Sequence, residues 1–128
     1  MAFDWKKFIK IADELIKNKN EESYRSVVNR AYYAAYNQSK TFIEVWIIKG
    51  DLIVPEREGR HSYIIRSLKG VPEPYIRQAG RDLGDLFDDR KEADYEKDVC
   101  IEKRTATLNI ERAKKIIKQL DKGYIPLR

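Results

Sequence analysis

Residues Ser23–Tyr36 read SYRSVVNRAYYAAY. Tyr24, Val27, Val28, Ala31, Ala34 and Ala35 recur at steps of three and four, which places them on one face of a 3.6-residue helix. Arg25, Arg30, Tyr32, Tyr33 and Tyr36 interleave with them. Alanines allow a neighbouring helix to approach closely. Buried guanidinium and phenol groups require hydrogen-bond partners. The richest supply of acceptors is Asp82–Asp94, in a second amphipathic segment. The chain is therefore expected to pack these two segments together. Asp94 and Asp85 would accept from Arg25, Arg30 and the tyrosines.

The periodicity extends outward from this stretch. It predicts a first helix over about Trp5–Lys17, with Asp4 as its N-cap and Trp5, Phe8, Ile9, Ala12, Leu15 and Ile16 as its apolar stripe. The second helix runs over about Glu21–Lys49, with Asn20 as its cap and Gly50 as its stop. Phe42–Ile48 also carries strand propensity, but the unbroken helical period decides for helix. A loop over Asp51–Gly59 leads to a short third helix, about His61–Leu68. The fourth helix spans about Pro74–Val99, with Pro74 in its first turn and Ile76, Ala79, Leu83, Leu86, Phe87 and Ala93 inward. Gly80 and Gly84 share a face and predict close backbone approach, against the tyrosines of the second helix. The fifth helix covers about Thr105–Lys122, buries Ala106, Ile110, Ala113, Ile116, Ile117 and Leu120, and stops at Gly123. The prediction is an all-α bundle of four long helices and one short one. It forms a single domain over residues 1–128, with its core at about 4–122.

Composition narrows the chemistry. The chain has 26 basic and 21 acidic residues and a net charge of +5, which permits a polyanionic partner without requiring one. One cysteine, Cys100, allows no intrachain disulfide and suits a reducing compartment. With a single histidine and a single cysteine, no zinc-ligand spacing is present, so neither a metal nor another cofactor is expected. No apolar run approaches the roughly 20 residues needed to cross a bilayer, and MAFDWKKFIK lacks a signal-peptide core. A cytoplasmic protein without membrane contact is expected. Arg112, Lys115, Lys118 and Lys122 share a face of the fifth helix and read as a solvated face or a phosphate-tracking stripe.

Two polar clusters are candidates for a site. Arg60-His61-Ser62 opens the third helix, and His61 alone has an ordinary pKa near neutrality. In Asp88–Tyr95, DDRKEADY, Asp94 follows Arg90 by four residues, so the two can pair on the helix surface. Either this is a structural polar network, or Arg90 faces a phosphate with Tyr95 beside it.

SYRSVVNRAYYAAY, then GRHS, then LFDDRKEADY together resemble a HEPN domain, and are most similar to its small stand-alone prokaryotic members. The resemblance runs from Asp4 to about Leu120. It implies an up-and-down bundle of four or five helices that forms a homodimer and works with a minimal nucleotidyltransferase in a toxin–antitoxin arrangement. Many members of that group are metal-independent ribonucleases whose motif is Arg, four to six residues, then His. There the His moves protons while a ribose 2′-hydroxyl attacks the adjacent phosphate, and the Arg steadies the phosphoryl charge. Arg90 matches the motif Arg, but Tyr95 stands where the His would be. A phenol of pKa about 10 is roughly one part in a thousand ionised at pH 7, so it is a poor base. The expectation is a nucleotide- or RNA-binding module that uses Arg90, Asp94, Tyr95, Arg30 and Tyr33. The alternative is a metal-independent endoribonuclease toxin that uses Arg90 with Tyr95 or His61.

Overall fold

The structure, a computed structural model, describes residues 3–48 and 59–123, with backbone alone for 46–48. The predicted stop at Gly50, nearly all of the 51–59 loop and the tail after Gly123 lie outside the described residues. Within them the elements are α1 (Lys7–Leu15), α2 (Glu21–Ile48), α3 (Arg60–Lys69), α4 (Pro74–Tyr95) and α5 (Lys103–Gly123). A 3₁₀ turn, Ile16–Asn18, follows α1.

The second helix is the hub, because each of the other four packs against it. The side-chain partners give the directions. Phe8 lies by Arg30, and Ala12 and Val27 share a cluster, so α1 runs antiparallel to α2. Arg25 meets Ala93 while Tyr32 meets Phe87, so α4 is antiparallel to α2 as well. Asp82 pairs with Lys115 and Asp89 with Asn109, which sets α5 antiparallel to α4. Lys69 lies by Gly80 and Ile65 by Gly84, so α3 is antiparallel to α4 and runs in the same direction as α2, which breaks the expected up-and-down order. The chain is a helical bundle with no strand among the described residues. Val27, Val28, Ala31, Ala34 and Ala35 are all fully buried, as are Leu83 and Leu86 on α4 and Ala113 and Ile116 on α5. The periodicity had assigned each of these to the core.

Three further expectations need correction. Among the described residues the bundle has three long helices, of 28, 22 and 21 residues, and two short ones, of 9 and 10. The first helix stops early because Lys19 takes the left-handed conformation, φ 54°, and turns the chain into α2. There Asn20 Oδ1 accepts the Ser23 N–H at 2.9 Å, the predicted cap. The fourth helix ends at Tyr95 rather than Val99, since Glu96 is extended. The Arg25 guanidinium terminates it. It donates to the carbonyls of Glu92 (3.3 Å), Ala93 (2.9 Å), Glu96 (3.1 Å) and Val99, supplying donors and positive charge where helix carbonyls lack partners. Third, the two glycines of α4 face α3 and not the tyrosines of α2. A Cβ on Gly80 would lie 2.9 Å from the Lys69 backbone nitrogen, and one on Gly84 would lie 3.7 Å from Ile65.

Candidate functional site

The site grows from the α2–α4 pairing. Tyr32 and Tyr36 are one turn apart on the buried side of α2, 0% and 5% exposed, with rings stacked at 5.7 Å. Phe87 of α4 stacks on Tyr32 at 5.6 Å. The third helix then delivers His61 into this aromatic wall. Its ring lies parallel to Phe87 at 5.1 Å, and 4.4 Å from Tyr36. Tyr32 Oη and His61 Nδ1 are 2.5 Å apart and share one hydrogen bond.

Arg90 reaches the same wall from α4. Its Nε donates to Asp94 Oδ2 at 2.9 Å, and the side chain is only 11% exposed. The guanidinium carbon lies 5.9, 5.3 and 5.5 Å from the ring centres of Tyr32, Tyr33 and Tyr95, within cation–π range of all three. Another of its nitrogens donates to Tyr95 Oη at 3.3 Å. Tyr95 forms the outer layer and is 70% exposed.

Burial pushes the Tyr32 phenol far above its usual range, with smaller contributions from Tyr36 and Tyr33, so it stays protonated. Burial also lowers the His61 pKa, and the charges of Arg90 and Arg60 lower it further. The imidazole is therefore neutral near pH 7. If Tyr32 donates to Nδ1, the ring proton sits on Nε2. If Nδ1 carries the proton and donates to Tyr32, Nε2 is a free base. Desolvation works against the charge on Arg90, but the Asp94 hydrogen bond and the nearby Tyr33 and Tyr95 more than offset it and hold the pKa above its ordinary value. The assembly can therefore offer a fixed cation, a neutral imidazole and aromatic faces at one place.

The residues singled out in the sequence mostly converge. Arg90, Asp94, Tyr95, Tyr33 and His61 share this cluster. Arg30 does not bond to Asp94. Its guanidinium lies over the Phe8 ring at 5.1 Å. Asn29 takes the predicted role instead and donates to Asp94 Oδ2 at 3.1 Å. Asp85 is exposed and takes no part in the network. Sequence reasoning missed Tyr32, Tyr36, Phe87 and Asn29 as site residues. The step of four between Tyr32 and Tyr36 signalled a shared face, but which helix would cover that face had no local signal. Among the described residues, no three His, Cys, Asp or Glu side chains are grouped to hold a metal ion. No described helix is long and apolar enough to cross a membrane. Lys115 and Lys118 are exposed, as a solvated face requires, and Lys115 pairs with Asp82 at 3.7 Å. No family model, curated protein or solved structure matches this chain.

Proposed function

We propose that the chain is a HEPN-type module that binds a nucleotide or RNA through a phosphate held at Arg90. The carrying observation is the setting of that guanidinium, fixed by Asp94 and surrounded by Tyr32, Tyr33 and Tyr95. A charge already desolvated and oriented gives a phosphate a strong charge-assisted partner. The 3.3 Å bond to Tyr95 Oη is neutral on one side and long, so a phosphate oxygen displaces it. The Tyr95 ring, released, stacks on a base. Binding of adenosine monophosphate by wild type, with a roughly tenfold or greater loss in Arg90→Ala, is the expected outcome of a calorimetric titration. Equal affinity in the two proteins sinks this reading. The resemblance to HEPN proteins leads us to propose two protein partners as well, a second copy of the chain and a minimal nucleotidyltransferase.

A second reading, metal-independent endoribonuclease, gains from one observation. His61 lies against Tyr33 and Tyr32, the same rings that Arg90 covers, so an imidazole stands near the guanidinium although position 95 is a tyrosine. A neutral His61 has the proton-transfer capacity that Tyr95 lacks. RNA incubated with chelator would then be cut by wild type to 2′,3′-cyclic phosphate ends, and not by His61→Ala or Arg90→Ala. Uncut RNA with wild type leaves the binding module alone standing.

A further inference from the structure

Three arginines border the aromatic cluster. Arg30 is the first, on an exposed or half-buried stripe of Ser26, Arg30, Tyr33 and Asn37 whose spacing of four, three and four keeps it on one face. It borders a polar cleft of about 280 Å³, also lined by Ser26, Asn29 and Asp94. This cleft opens onto the Arg90 cluster, because Asn29 and Arg90 donate to the same Asp94 oxygen. Arg90, over Tyr33, is the second. Arg60 is the third, exposed at the start of α3, where its charge acts on both Tyr36 and His61. The Tyr36 hydroxyl is buried there without a hydrogen-bond partner among the described residues, an arrangement that costs about 1–3 kcal/mol unless something accepts or donates to it.

The charges along this line are uneven. Asp94 offsets Arg90, while Arg30 and Arg60 have no carboxylate partner among the described residues. Arg30 to Tyr36 covers about 9 Å along the helix axis at ~1.5 Å per residue. A strand whose bases stay stacked as in a duplex rises about 3.4 Å per nucleotide, so a line of this length takes about three stacked nucleotides. A lone mononucleotide at Arg90 would leave both flanking arginines and the Asn29 cleft unused.

We propose that the site is a track for a single strand of RNA laid along α2, with Arg30, Arg90 and Arg60 each contacting one of about three successive phosphates. This rests on the reading of Arg90 as a phosphate contact and extends it to a strand. Ser26 and Asn37, on the same stripe as Arg30, lie where a strand's ribose hydroxyls pass.

Binding of uridylates from one to about five nucleotides, measured by fluorescence anisotropy at several salt concentrations, tests it. Affinity rises with each nucleotide up to about three and then levels. The slope of log affinity against log salt for the longest uridylate drops by roughly 0.7 in Arg30→Ala and again in Arg60→Ala. In each variant uridine monophosphate loses less affinity than the longest uridylate does, because its single phosphate sits at Arg90. Mononucleotide binding that depends on Arg90 but no gain with length overturns the track and leaves the reading of Arg90 intact. Failure of every uridylate to bind wild type overturns both. A polyglutamate of matching charge that binds as tightly as the longest uridylate overturns the assignment to RNA.

Discussion

At the scale of single residues, the site is a set of groups whose neighbours fix their charge. Tyr95 contributes through its ring and its hydrogen bond. Its ring is exposed while its hydroxyl accepts from Arg90. If the ring serves as a stacking platform, Tyr95→Phe keeps nucleotide affinity within about twofold. Tyr95→Ala loses about 1–3 kcal/mol of it, the range for base–aromatic stacking. Equal losses in the two variants, read by calorimetry, would show that the hydroxyl and not the ring carries the effect. His61 gives a pH signature. With its folded-state pKa lowered by burial and by Arg90 and Arg60, the unfolded chain binds more protons below the ordinary value of about 6.5. Its contribution to stability is complete above that value and erodes as pH falls toward the lowered folded pKa. The imidazole resonances in free protein therefore titrate with a midpoint under 6.5; a midpoint above it contradicts the buried setting described here. The Arg90–Asp94 pair was legible in the sequence, because a step of four on a helix is a contact. The Tyr32–His61 bond was not. It joins residues 29 apart on different helices, and only the docking of α3 creates it.

At the scale of elements, α2 was legible nearly to its ends, and the ends of α1 and α4 were not. Periodicity marks a buried face, but it cannot show that Lys19 turns left-handed or that Arg25 would take the carbonyls of Glu92, Ala93, Glu96 and Val99. The two glycines of α4 make the same point quantitatively. Both looked alike in sequence, yet only Gly80 is pressed against backbone, the amide of Lys69. Gly80→Ala forces α3 away from α4 and is expected to destabilise the protein by about 1–3 kcal/mol. Gly84→Ala meets Ile65 at ordinary contact distance, so it is expected to gain up to about 1 kcal/mol from helix propensity. Urea denaturation of the two variants checks both. A stabilised Gly80→Ala, or a Gly84→Ala as damaged as Gly80→Ala, would contradict the α3–α4 packing.

At the scale of the whole molecule, four neighbours pack against α2, and the site lies where α3 and α4 meet its aromatic side. Helical architecture followed from the absence of any strand period, whereas the directions of the helices rest on contacts between residues far apart in the chain, such as Arg25 with Ala93 and Asp82 with Lys115. Exposed apolar groups also cluster by sequence near the end of α4, with Tyr95 at 70% and Val99 at 36% exposure. The homodimer proposed above would cover Val99 and leave the Tyr95 ring open to a base. Light scattering at micromolar concentration is expected to give twice the chain mass, and a Val99→Glu substitution to shift it toward monomer. A wild-type monomer in that measurement removes the dimer from the proposal, leaving the site within one chain. The most direct test of the central claim follows the Arg90 Nε–H resonance by NMR while adenosine monophosphate is added. The account predicts a saturating shift of that resonance, with the His61 ring signals moving in parallel and its pKa rising as phosphate charge arrives. An Arg90 resonance that stays in place to millimolar nucleotide would contradict it.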